Sequence, residues 1–91
     1  MAGPKSQSLF ERGQKVLVEG VSSASRGPAT FGGAPRYMSH GAGARLYDVD
    51  GREYIDAHAG AWLTQVGHGR EEMARVAADQ MARLAHFTIM A

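Results

Sequence analysis

With 91 residues the chain has room for one small domain at most, and apolar and charged shares of 44% and 21% exclude wholesale disorder. Ten basic and nine acidic side chains are well mixed and leave a net charge of +1 with no basic run, which argues against a nucleic-acid partner. No cysteine is present for disulfides or thiolate chemistry, and no apolar stretch approaches the roughly 20 residues that cross a bilayer, so a cytoplasmic protein with no membrane partner is expected.

Residues 1–7 read as a loose polar tail. Ser8-Leu9-Phe10-Glu11 has the form of a capping box, in which a serine hydroxyl takes an amide three residues on and a glutamate reaches back. The apolar positions that follow predict a helix over about Leu9–Val18, too short to stand alone. From Glu19 to Pro35 no periodicity survives among the glycines, serines and alanines. An irregular stretch of that length is usually functional or disordered, and this one carries Ser22, Ser23, Ser25 and Arg26.

Three strands follow. Arg36–Ser39 turns at His40–Gly43 into Arg45–Val49, and Asp50-Gly51 leads into Glu53–Asp56. Asp-Gly between β-prone runs is a strong hairpin signal, and the result is a three-stranded meander. A run of small and apolar residues from Ala59 to Val66 contains Trp62 and closes on Gly67-His68-Gly69. A second helix is predicted from Arg70 to His86, with Met73, Ala77, Met81 and Leu84 as its stripe. Glu71 and Glu72 lie at its start and Arg83 and His86 at its end, matching the helix dipole. The chain closes on Phe87-Thr88-Ile89-Met90-Ala91, an apolar run that leads us to expect a truncated sequence.

The order Ser8-Leu9-Phe10-Glu11-Arg12, Gly20-Val21-x-Ser23-x-x-Arg26, Gly43 through Asp56, Trp62 and Val66-Gly67-His68-Gly69 resembles a known pattern. It is similar to the N-terminal segment of class-III pyridoxal-phosphate aminotransferases, nearest to the glutamate-1-semialdehyde aminomutase-like group. The resemblance implies an α/β protein of the fold-type-I class, usually a homodimer. Residues 8–91 would form the N-terminal helix, the three-stranded meander and the following helix of its minor domain, not a complete domain. The implied reaction moves an amino group between an amino acid or amine and an oxo compound on pyridoxal 5'-phosphate. The phosphate loop, the acid facing the pyridine nitrogen and the Schiff-base lysine would all lie beyond Ala91, so the segment alone is expected to be inactive.

The residues agree with that division of labour. A Schiff-base lysine needs a desolvated pocket that keeps its amine neutral. Lys5 in the polar tail and Lys15 on the wet face of a helix offer none, and no phosphate-binding glycine motif is present. No catalytic or cofactor-binding residue is therefore assigned in this chain. A guanidinium grips a carboxylate with two parallel hydrogen bonds, which makes Arg26 a candidate against the commoner reading of an exposed loop arginine. By resemblance, Ser23 and Arg26 reach the substrate carboxylate and Trp62 borders the pocket; core packing is the alternative for Trp62. The four histidines show no zinc spacing, and His68 between two glycines is read as a turn residue. Asp48, Asp50 and Asp56 read as turn and strand-end residues.

The match has departures. Glu19 stands where the aminomutases have glycine, and Ser22-Ser23-Ala24-Ser25 where they have Asn-Ser-Pro-Val. Leu63-Thr64 and Gly69-Arg70, in place of Gly-Pro and His-Pro, look more like the amine and ω-amino-acid transaminases. The rival from another class is a small interaction module, a hairpin and two helices with the irregular loop as its docking surface.

Overall fold

A computed structural model describes residues 1–85. The expected segment closing at Phe87–Ala91, and His86 in the last turn of the second helix, lie outside the described residues. The elements run α1 (Pro4–Gly13), 3-10 turns at Val18–Gly20 and Ala24–Arg26, and a one-turn helix α2 (Pro28–Phe31). They continue with β1 (Met38–Ala42), β2 (Arg45–Asp48), β3 (Glu53–Ile55), a single turn α3 (Ala59–Trp62) and α4 (Glu71–Arg83). The strands form an antiparallel sheet in the order β1-β2-β3, the meander that the turn chemistry predicts.

The first helix corrects two expectations. It starts at Pro4, not Leu9, so residues 4–7 are its first turn rather than a loose tail, and Ser8 and Glu11 lie inside it. The cause is a cap that comes from far along the chain. The Asp50 carboxylate accepts the Lys5 amide at 2.8 Å and the Ser6 amide at 3.1 Å, and Pro4 at the first helical position has no amide to satisfy. Gly3 makes the approach possible, because a Cβ there would overlap the Asp50 carboxylate. Glu11, no longer a capping residue, accepts from Gln7 Nε2 at 3.0 Å.

The hairpin turn is a corrected detail as well. Of the Asp-Gly pair only Gly51 takes a positive φ, +86°. The Gly51 amide bonds the Asp48 carbonyl and the Asp48 amide bonds the Arg52 carbonyl, each at 3.0 Å. That is a three-residue loop, Val49 to Gly51, with the left-handed glycine as its third residue, rather than a two-residue loop. The Asp48 side chain, buried in the turn, accepts from the amides of Asp50 and Arg52 at 3.0 and 2.8 Å and from the Tyr54 hydroxyl at 2.7 Å. Burial raises the Asp48 carboxyl, but the bonds from Arg52, Tyr54 and Asp50 outweigh it and hold the group below the ordinary carboxylate value.

The turn between β1 and β2 also moves. His40 and Gly41 belong to β1, and the reversal falls at Gly43–Ala44. Two side chains explain the extension: the His40 ring stacks on Tyr47 with centroids 4.6 Å apart, and Ser39 Oγ donates to the Tyr47 carbonyl at 3.1 Å. The stretch 19–35, read as irregular, contains the 3-10 turn at Ala24–Arg26 and the single helical turn α2.

The core is small and lies where α1, the Val18–Gly20 turn and the sheet meet. Phe10, 7% exposed, is the one large apolar side chain buried among the described residues. Beside it Ser6 is fully buried and its Oγ accepts the Tyr37 amide at 3.3 Å. The Tyr37 hydroxyl in turn donates to the Gly20 carbonyl at 3.3 Å. The second helix starts and stops close to the predicted bounds, but none of its residues is buried, and Met73, Val76, Met81 and Leu84 are exposed.

Candidate functional site

Ser23 and Arg26 share one turn. Ser23 is the extended residue before the 3-10 turn Ala24–Arg26, and the Arg26 amide closes that turn on the Ser23 carbonyl at 2.9 Å. The Ser23 hydroxyl is 3.0 Å from that of Ser25. Arg26 lies on the wall of a cavity of about 610 Å³, together with Arg12, Arg36, Leu17, Val21 and Tyr37 among others. Among the described residues no hydrogen bond or ion pair engages the Arg26 guanidinium. Such a group can meet an anion in both prongs without first breaking a partner.

Trp62 is not among the residues lining that cavity. It ends α3, and α3 is a left-handed turn: Ala59, Gly60, Ala61 and Trp62 have φ of 49°, 57°, 61° and 65°. For each of the three non-glycine residues this costs roughly 1–2 kcal/mol, because Cβ crowds the following carbonyl. The turn nevertheless closes its own bonds, from the Trp62 amide to the His58 carbonyl at 3.1 Å and from the Thr64 amide to the Ala59 carbonyl at 3.0 Å. The His58 Nδ1 accepts the Ala61 amide at 3.0 Å, and its ring lies 5.9 Å from that of Trp62. The indole is 73% exposed, so the core-packing alternative does not hold within this chain.

Asp56 fixes the start of this turn. One carboxylate oxygen accepts the amides of His58 at 3.1 Å and Ala59 at 2.8 Å, and the other pairs with His68 Nε2 at 2.6 Å. Its side chain is 8% exposed. The bond to His68 lowers the Asp56 carboxyl, burial raises it, the two amides lower it further, and the balance lies below the ordinary value. His68 is anchored through its backbone, which pairs with Gly43 in both directions at 2.8 and 2.9 Å. Gly41 gives its ring room, since a Cβ there would sit 2.6 Å from that of His68.

Sequence reasoning reads Asp56 and His68 only as turn residues and does not connect them. The signal for half of the arrangement was present: an aspartate accepting amides two and three residues on is ordinary turn chemistry. The left-handed turn had no signal, because alanine and tryptophan rarely adopt that conformation.

Neither lysine fits a cofactor lysine. Lys5 sits exposed in the first turn of α1 and Lys15 is exposed in the turn after it. Neither has the desolvated surroundings that a Schiff-base amine needs. Among them no helix is long and apolar enough to cross a membrane.

The family described as Aminotransferase class-III matches residues 29–91. Glutamate-1-semialdehyde 2,1-aminomutase of Acetivibrio thermocellus is 40% identical over 78 residues, covering 85% of this chain and 18% of the relative. The enzyme of that name from Syntrophus aciditrophicus is 41% identical over 69 residues, covering 75% and 16%. Among solved structures, an omega-transaminase from Sphaerobacter thermophilus superposes on 98% of the chain with a TM-score of 0.81 at 27% identity, covering 20% of that protein. A transaminase from the marine bacterium Virgibacillus superposes on 92% with a TM-score of 0.70 at 37% identity, covering 18%. The chain therefore spans about a fifth of the length of the proteins it matches.

Proposed function

As the chain belongs to the class-III aminotransferase family, we propose that it is the N-terminal minor-domain segment, beginning with α1, of a pyridoxal-phosphate enzyme that works as a cytoplasmic homodimer. Pyridoxal 5'-phosphate is the electron sink for amino transfer, and other parts of the enzyme hold it. This segment supplies the substrate side: Arg26 binds a carboxylate, Ser23 helps to orient it, and Trp62 walls the pocket. Amino transfer runs between a carboxylate-bearing amine and a separate oxo acceptor. Leu63-Thr64 and Gly69-Arg70 support that reading over an internal amino shift. The family match also displaces the rival of a free-standing interaction module.

The observation that carries the reading is the unengaged Arg26 guanidinium on the wall of the 610 Å³ cavity. The test uses the full-length enzyme with β-alanine as donor and pyruvate as acceptor. Alanine should form. With the donor half-reaction followed alone, before acceptor is added, Arg26→Gln should weaken use of β-alanine about tenfold to a hundredfold, the loss of one to two tenfold steps of carboxylate affinity, and leave 1-phenylethylamine, which has no carboxylate, unaffected. Equal losses for both amines would remove Arg26 from carboxylate binding. Amino shift without any acceptor would make the enzyme an aminomutase.

A further inference from the structure

A turn of four consecutive left-handed residues, three of them not glycine, persists only where its surroundings hold it. Here the holding group is identifiable. Asp56, at the end of β3, is tied to the sheet by its own amide, which donates to the Ala44 carbonyl at 2.8 Å. Its carboxylate takes the two amides that open the turn and pairs with His68. His68 is in turn pinned to Gly43 by two backbone bonds and passes closely over Gly41. The sheet, the left-handed turn and the segment before α4 thus converge on one buried carboxylate, and Trp62 is the last residue of the turn it secures.

We infer that Asp56, with His68 as its partner, is a positioning residue that holds α3 left-handed and so aims the Trp62 indole. The inference rests on the reading of Trp62 as a pocket wall, but the lock can be measured without any ligand. An indole on a left-handed turn points away from where a right-handed turn would carry it. Releasing the two amides of His58 and Ala59 frees the turn to relax and swing the ring out of register. A wall moved out of register loses contact with the bound substrate, which weakens binding without touching the reacting atoms.

Trp62 is the single tryptophan of the 91-residue chain, so its emission reports this turn alone. In Asp56→Ala the fluorescence anisotropy of Trp62 should fall, and the amides of Ala61, Trp62 and Thr64 should exchange with solvent about tenfold faster. The Asp48 and Val49 amides, bonded to the Arg52 and Tyr37 carbonyls, serve as the control and should not change. Asp56→Asn keeps an oxygen for the two amides and should restore most of the protection. Unchanged exchange at Ala61, Trp62 and Thr64, or equal acceleration at Asp48 and Val49, would overturn the lock. In the full-length enzyme with β-alanine and pyruvate, Asp56→Ala and Trp62→Ala should each raise KM with little change in kcat. If Trp62→Ala raises KM and Asp56→Ala does not, the positioning role alone falls. If Trp62→Ala is silent, the pocket reading falls and the functional part of this inference with it.

Discussion

The two longer helices of the chain are held in opposite ways. α1 lacks a side-chain cap of its own; its free amides are taken by Asp50 from across the fold, and its Phe10 is the buried anchor. α4 is supported from within, by acidic residues at its start, Arg83 at its end and an Arg75–Glu71 pair at 3.9 Å, while none of its side chains is buried. The lesson is that a helix placed by distant partners is fragile at those partners, and a helix placed by its own sequence is tolerant everywhere. Its apolar stripe then does nothing for this chain's own stability.

The sharpest way to break that contrast is Phe10→Ala. Removing the one large apolar side chain buried among the described residues should cost about 3 kcal/mol, read as a lowered urea midpoint of the 91-residue chain; an unchanged midpoint would mean that α1 is not anchored there. Gly3→Ala comes next. Its new Cβ must push the Asp50 carboxylate off the helix start, for an expected loss of about 1–2 kcal/mol, with amide exchange at Lys5 and Ser6 rising first.

Acid sharpens the comparison further. Burial raises the Asp50 carboxyl, but bonds from the Ser6 hydroxyl and the Lys5 and Ser6 amides, with the charge of Arg52, bring it below the ordinary value. Asp48 and Asp56 are lowered too. Groups depressed in the folded state stabilise it fully above their unfolded value of about 4 and lose that contribution as pH falls through the lower folded values. Circular dichroism should therefore show the α1–hairpin unit loosening as pH falls below about 4, with Asp50→Asn flattening part of the slope. The smallest effect belongs to α4, where Met81→Ala should change stability by less than about 0.5 kcal/mol; a larger loss would show that its stripe is packed in this chain after all.

The same contrast explains what could be read in advance. α4 was legible because period, end charges and length are all local to residues 70–85. The meander was legible because Asp50-Gly51 and the flanking β-prone residues are neighbours in sequence, although whether one or both of the pair turn left-handed depends on where Asp48 finds its amides. The start of α1 was not legible, since a plausible local capping box at Ser8 competes with a cap 45 residues away. Arg26 could be nominated from its chemistry and the motif around it. The Asp56–His68 pair could not, because the two residues meet only after the Gly41–Gly43 and Gly67–Gly69 segments have folded onto each other.

The reach of Asp50 back to Lys5 also sets an order of events in time. Synthesis runs from the amino end, so the residues of α1 leave the ribosome before the turn that will cap them has been made. Until the chain has grown the further 45 positions to Asp50, the first helix has open amides at its start and an isolated ten-residue helix is marginal in water. The hairpin closes over only a few residues, so its contacts need no distant partner and can begin to form as it emerges. The stretch encoded first therefore settles only after its successor, and a pause in translation shortly before Asp50 would leave it unformed.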